Sequence, residues 1–467
     1  MTIFLDVAVV QIQSWLARTP HLRGRRGASR MIREATMAEA VDRLLANCTS
    51  VARRNTAYGD IDGVIALEIL RDDAVDEVER HVMRHLRKRL PAAPLRSTRW
   101  EGQDSLDAHA ADEPLITHDW PAPVPEWPAS KPCDWCRSWP ASREATVGAG
   151  DDRKQVQLCE DCAKRHRYAG FTTSTTATLK PGVERDLLER WHKEHNSKPT
   201  LPDKFPDLAL LGKENDNTHL ATVYADGNAV GKLNKELRDL RRNGIGTNFD
   251  LPQAISNATW SALLAAIEEM SAGTDEMMPV IAHLVGGDDV LVSIPAHEAW
   301  WFTRTLQITF QDALAAELAD AGLADLPVPT VSAAIVFHHK FSPLPAAVDL
   351  AGELLAHAKK QHRGQRASLA WQDITHDGPY PLHHQAPGQR QAPALDALID
   401  AWADLDSLAE LGASARANLA VLARHTDPER VKAHAERLGL WDSVQRFLNG
   451  PIPLEDALGM VRWWRTK

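Results

Sequence analysis

The residues best placed to do chemistry are aspartates beside glycines. Asp288 and Asp289 follow Gly286 and Gly287 in HLVGGDDVLVSIP, between two apolar runs that read as strands. Glycines lack a Cβ and permit the positive φ of a tight hairpin, so both carboxylates fall at its tip. Adjacent carboxylates repel each other. They suit a hard divalent cation such as Mg²⁺ or Mn²⁺ better than a structural turn, although the four letters alone also fit a solvated hairpin. A third acid, Asp226, closes the apolar run HLATVYAD, and Gly227 lets the backbone turn into a helix starting near Asn228. In a β-α-β-β arrangement the first strand lies beside the hairpin, which brings Asp226 to Asp288 and Asp289. Three carboxylates on neighbouring strand ends can hold one or two metals and clamp both oxygens of a phosphoryl transfer. The free N–H groups of the following helix offer a seat for a triphosphate. The plain alternative for Asp226 is an N-cap.

Two further segments fit the same site. SAAIVFHHKFSPL ends a strand with His338, His339 and Lys340, at a rim where a base or ribose could lie. In AVDLAGELLAHAKKQHR, Val348, Ala351, Leu355 and Ala358 form one helical face, while Lys359 and Arg363 share another at i, i+4. Those two cations could grip polyphosphate oxygens, or simply complement a helix C-terminus. Cys133 and Cys136 form one C-x2-C pair, and Cys159 and Cys162 a second one 22 residues later. Four thiolates at that spacing hold structural Zn²⁺ and supply folding energy to a segment too small for its own core. The lone Cys48 reads as a small buried apolar residue.

Around these residues, 467 positions are enough for about two to four domains. A composition of 44% hydrophobic and 25% charged residues excludes collagen-like, coiled-coil and wholly disordered chains. No stretch is apolar for the roughly 18–20 residues a membrane span needs. The paired cysteines and a start without a basic n-region predict a reducing, cytoplasmic setting and no membrane partner. With a net charge of −10, any nucleic acid would be held by local basic surface. The run His21–Arg33 is one such surface, touching RNA phosphates or a neighbouring subunit, or else merely a solvated face. Trp463 and Trp464 could stack on RNA, pack on a partner or be buried in the last helices.

The predicted fold class is α+β. Residues 216–375 follow the β-α-β-β-α-β order of a ferredoxin-like or palm unit, a four-cysteine zinc module precedes it, and a helical domain closes the chain. The expected boundaries are 1–95 for a first unit of alternating strand-like and helix-like runs, 96–130 for a linker, 131–170 for the zinc module and 171–215 for a connector. The palm unit covers 216–375, a linker 376–394 and the helical domain 395–467. In the first unit, Asp60 and Asp62 of YGDIDG read as turn residues and not as catalytic groups.

GGDD, the ADGNAVGK turn and SAAIVFHHKFSPL followed by LLAHAKK resemble the cyclase palm of the large, signature subunit of type III CRISPR effector complexes. The relation extends to GGDEF nucleotide cyclases and class III adenylate cyclases. FLDVAVVQIQSWLARTPHLRGRRGAS resembles the strand, glutamine-bearing turn and arginine-rich segment of that subunit's first palm. The likeness is strongest over 216–375 and weakest after 395. It implies an enzyme joining ATP, 3′-hydroxyl to α-phosphate, into cyclic oligoadenylate, in an antiviral complex of guide RNA, target RNA and other effector subunits. It also implies Asp226, Asp288 and Asp289 as catalytic metal ligands, with Gly227, Asn228, Gly286 and Gly287 at the nucleotide. Lys359 and Arg363 would hold the triphosphate, and His338 and Lys340 would line the pocket. Many members carry an acid where Asn228 stands here, so a symmetric two-metal arrangement is in question. The HD pairs at His118 and His376 fall in expected linkers, and no HD-type DNase activity is expected. The alternatives are a cyclase with another cyclic nucleotide product and a catalytically silent RNA-guided scaffold.

Overall fold

A computed structural model describes the chain except for residues 59–61, 110–112, 124–130, 149–152, 170–181, 213–217, 243–248, 271–275, 381–390, 425–427 and 466–467. Asp60 and most of the connector TTSTTATLKPG lie outside the described residues.

The first unit runs β1 (Thr2–Val9), α1 (Ile12–Ala17), α2 (Leu22–Thr36), α3 (Ala38–Leu45), β2 (Ala52–Arg54), β3 (Val64–Ile69) and α4 (Val75–Arg89). It ends with β4 (Leu95–Gly102), α5 (Ser105–His109) and β5 (Ile116–Trp120). Its sheet has the order β2-β3-β1-β4-β5 and is antiparallel throughout. Strand β1 lies at its centre with Phe4, Leu5 and Val7 buried. The expected linker at 96–130 is therefore corrected over 96–120, where β4 and β5 complete this sheet. His118 sits on β5, hydrogen-bonded through Nδ1 to Glu79 at 3.1 Å.

The cysteine module follows, as the hairpin β6 (Arg143–Val147) and β7 (Lys154–Leu158) and helix α6 (Glu160–Ala169). Helices α7 (Val183–His195) and α8 (Phe205–Leu210) lead into the second sheet. That unit runs β8 (His219–Asn228), α9 (Val230–Arg242), α10 (Leu251–Glu268), β9 (Ile281–Gly286), β10 (Asp289–Pro295) and α11 (Ala299–Asp320). It closes with β11 (Thr330–His339), α12 (Leu344–Gln361), β12 (Leu369–Asp373) and α13 (Ile374–Asp377). The order β12-β11-β8-β10-β9 is the ferredoxin-like pattern with one extra strand, β12, parallel to β11. One face carries α10 and α11, on which Phe302, Leu306, Phe310, Leu314 and Leu318 are all buried. The other face carries α12.

Helices α14 (Leu395–Asp400), α15 (Trp402–Ala409), α16 (Ala413–Arg424), α17 (Pro428–Arg437), α18 (Trp441–Asn449) and α19 (Leu454–Met460) end the chain. They share one apolar core with the second sheet rather than forming a core of their own. Trp463 stacks on Phe337 at 5.5 Å and donates to Asp373 at 2.9 Å, and Trp300 donates to the Met460 carbonyl at 3.1 Å. Both Trp463 and Trp464 are buried, so neither stacks on RNA in this arrangement. Among the described residues no helix is long and apolar enough to cross a membrane.

The basic run is likewise consumed internally. It forms α2, where Arg26 pairs with Glu184 at 2.9 Å and bonds the Pro202 carbonyl at 2.6 Å. Arg30 donates to the carbonyls of Tyr168 and Ala169. Helix α2 meets α6 at Gly27, where a Cβ would run into the backbone carbonyl of Arg165. Gly27→Ala gains helix propensity of about 1 kcal/mol but must push two helices apart. A net loss of about 1–3 kcal/mol in urea unfolding is expected.

Candidate functional site

Strand β8 pairs with β10 so that Val290 stands beside Ala225, which brings Asp289 to the level of Asp226. Asp288 and Gly287 form the turn between β9 and β10, with Gly287 at φ 59°. Thr259 on α10 fixes that turn by donating to the Gly287 carbonyl at 2.7 Å. Gly227 is needed here for space. A Cβ on it would stand 2.8 Å from the Asp288 Cβ and 2.9 Å from its Cγ. The left-handed residue of this turn is Ala229, at φ 61°, one place before α9. The strand thus runs through Asn228, two residues further than the sequence reading.

Burial, and after it the charge of Asp226, holds the Asp288 carboxyl above the usual range. The same two effects together with Asp288 push Asp289 up to about 8. Lys359 on α12 bonds the Asp226 carboxylate and, at 2.6 Å, the Gly227 carbonyl. Its ammonium occupies the position of a cation against one of the three acids. Such raised carboxyls call for positive charge, and oxygen donors of this kind fit Mg²⁺ or Mn²⁺. With Lys359 on Asp226, however, the three aspartates do not form a set with all ligand atoms within 4.8 Å. Among the described residues only the cysteine quartet does so.

The other expected site residues divide. Gly286 and Gly287 leave the hairpin tip open, with nothing within 4 Å of an added Cβ. Asn228 is buried and its amide is spent on Thr330 Oγ1 (3.0 Å), Ser332 Oγ (2.9 Å) and the Arg366 carbonyl (3.2 Å), away from the acids. His338 and Lys340 are not brought to the site. Strand β11 runs antiparallel to β8, so Ser332 stands beside Asp226 while His338 stands beside Leu220 at the far end. His338 is buried there, bonded to Thr222 at 2.9 Å, and burial lowers its pKa to about 4. Arg363 lies beyond the end of α12 at φ 53°, exposed, so it shares no helical face with Lys359.

A residue the sequence reading passed over is Tyr224. It lies two places before Asp226, on the same face of β8, where burial and the charges of Asp289 and Asp226 push its hydroxyl pKa up. The period-two alternation was the available signal.

The second centre is the cysteine cluster. Cys133, Cys136, Cys159 and Cys162 are buried with their sulfurs within 4.8 Å of one another. Arg137, at φ 57°, closes the first C-x2-C turn by donating to the Cys133 carbonyl at 3.1 Å. Cys162 stands on the first turn of α6. Hydrogen bonds with neighbouring cysteines depress Cys136, while hydrogen bonds with the other three and then burial push Cys162 up. That mutual interference is what a tetrahedral dication relieves, so four buried thiols could hold a metal such as zinc.

With this geometry in hand, known proteins can be compared. Residues 219–370 match the family described as Cas10/Cmr2, second palm domain. That segment is Cas10-like. Among solved structures, the Csm1–Csm4 cassette in complex with cA4 is similar over 99% of this chain and 69% of its own, with a TM-score of 0.53 at 11% identity. The same cassette in complex with AMPPNP gives 0.53 at 12% identity over 99% and 69%. Csm1 of T. onnurineus gives 0.53 at 12% over 99% and 70%. At such identities the likeness is one of fold. No curated protein matches this chain by sequence.

Two outcomes check these assignments. Asp289 is raised in the fold above its ordinary value near 3.8, so the folded state takes up a proton that the unfolded chain does not hold between about 4 and 8. Without added divalent cation, stability should fall as pH rises through that window, and Asp289→Asn should flatten the fall in pH-dependent melting curves. Cys136→Ser with Cys159→Ser should reduce zinc from about one per chain to little or none by elemental analysis, and lower the melting temperature.

Proposed function

We propose that this Cas10-like chain is a metal-dependent nucleotidyltransferase that joins ATP into cyclic oligoadenylate within a type III CRISPR RNA-guided complex. In this reading the two sheets are two palms and the cysteine module between them carries structural zinc. The observation that carries it is the clustering of Asp226, Asp288 and Asp289 on adjoining strand ends, with burial and mutual charge raising the last two. That the similar Csm1–Csm4 cassette is found in complex with cA4, cA3 and AMPPNP supports an adenine nucleotide as substrate and effector subunits as partners.

Asp226, Asp288 and Asp289 would hold Mg²⁺ or Mn²⁺, which when bound supplies Lewis acidity to the attacking 3′-hydroxyl and the α-phosphate. The rest falls to the chain itself. Lys359, on leaving Asp226, would reach polyphosphate oxygens, and the first N–H groups of α9 would face the same phosphates. The side-chain-free tip at Gly286 and Gly287 admits the nucleotide backbone without a clash. Asn228, held by Ser332 and Thr330, adds no charge, so one tightly held ion is the simplest loading. Guide and target RNA would bind the assembled complex, since Arg26 and Arg30 of α2 are already committed inside the chain.

The test is product mass after incubating the complex with ATP, Mg²⁺ or Mn²⁺ and target RNA. The wild type is expected to yield cyclic oligoadenylate, and Asp288→Ala/Asp289→Ala to lose at least about 100-fold of it while still assembling. Another cyclic nucleotide as the product would redirect the substrate assignment. Full synthesis by the double variant would remove these aspartates from catalysis.

A further inference from the structure

Arg25 on α2 is a buried cation without a hydrogen-bond partner. It is 2% exposed, and among the described residues none of its Nε, Nη1 and Nη2 atoms meets an acceptor. Nη2 of Arg30, one turn further on, is unpartnered as well. Both side chains line one cavity with about 270 Å³ of empty space, its mouth included. Helix α2 also contributes Arg26 and Ser29, the first turn of α7 contributes Glu184, and β9 contributes His283. Three guanidinium groups therefore face one carboxylate in this lining, and Arg26 already holds that carboxylate at 2.9 Å. Asp349 on α12 acts on Arg25 by charge alone.

A guanidinium keeps its proton in proteins, so a buried one needs acceptors and not merely neutralisation. Burial pulls Arg25 down only to about 9, which leaves it charged at neutral pH. The cavity exceeds the share of one water, about 30 Å³. The planar fork of an arginine matches paired oxygens that carry full negative charge, as those of a phosphate do.

We propose that this cavity binds a tetrahedral oxyanion of the phosphate class, held by Arg25 and the unpartnered Nη2 of Arg30, with the Ser29 hydroxyl beside them. The site is separate from the aspartate cluster, since none of Asp226, Asp288 and Asp289 lines it. It lies on the seam between the two units. Helix α2 belongs to the first, and β9 runs on from His283 to the Gly286–Gly287 turn of the second. The bound anion ties α2 to the strand that leads into that turn.

Equilibrium dialysis of the full chain against radiolabelled inorganic phosphate, without divalent cation, reads the binding. The wild type should take up about one phosphate per chain, and its melting temperature should climb with phosphate at fixed ionic strength, as for any ligand of the folded state alone. Arg25→Met removes the charge and should weaken phosphate binding by about 30-fold or more. In phosphate-free buffer the same variant should melt no lower than the wild type, because it deletes a buried charge that lacks a partner. Unlabelled adenosine monophosphate separates two sources of the same oxygens. Displacement of the label marks a phosphate monoester as a ligand, and none marks the free ion. Equal affinity in Arg25→Met overturns the site, and so does a wild type that takes up no phosphate. Uptake without fixed stoichiometry that vanishes in moderate salt means an adventitious ion only, and overturns it too. Should Arg25→Met fail to fold, the anomalous signal of selenate soaked into wild-type crystals decides. A peak within hydrogen-bond reach of Arg25 supports the site, and none there overturns it.

Discussion

Negative charge concentrated at the mouth of the second sheet is the constraint around which this molecule is arranged. Asp288 and Asp289 are both held above their ordinary pKa by burial and by the acid across the strand pair. Such a cluster survives folding only if the backbone forces it together and something positive faces it. The β8–β10 register does the forcing, Thr259 pins the turn, and the missing Cβ of Gly227 lets Asp288 approach. Lys359 provides the facing charge. A side chain that neutralises an acid in one state and is free for phosphates in another is well suited to a site that fills and empties.

The surrounding units are welded rather than tethered. Arginines of α2, which composition alone would place on the outside, are buried against the α7 start and the end of α6. Burying guanidinium groups is tolerable where acceptors meet them, and carbonyls and Glu184 do so for Arg26 and Arg30. The cysteine module joins this seam directly. Arg165 stacks over Trp15 and bonds the Trp15 carbonyl, and Arg18 reaches the Cys136 sulfur at 3.8 Å. The last helices are anchored to the second sheet through Trp300, Trp463 and Trp464, so the acidic site rests on nearly the whole chain.

Much of this was legible beforehand. The alternation in HLATVYAD and VLVSIP, the four-residue period through Phe302 to Leu318, and the glycine pair before two aspartates each report a local rule, and local rules act within a few residues. The two C-x2-C pairs were equally readable, because metal-ligand spacing is itself local. His338, Lys340 and Arg363 show where such reading runs out. A strand end looks like a rim from sequence, but which rim depends on strand direction. Antiparallel pairing of β11 with β8 sent His338 to the far end. Arg363 sat at the right interval for a helix that had already stopped.

By itself, then, the sequence marked the elements, the aspartates and cysteines that the fold gathers, and the kind of chemistry such groups could serve. The tertiary structure decided their company. It joined Gln13 of the first unit to Tyr224 of the second, turned Asn228 toward Ser332, made β4 and β5 part of a sheet, and hid Arg25, Arg26 and Arg30 of α2. The reason is that period and residue type are properties of neighbouring positions. Strand direction, register and the docking of one unit on another are set by the total burial that the whole chain achieves, to which no short stretch has access.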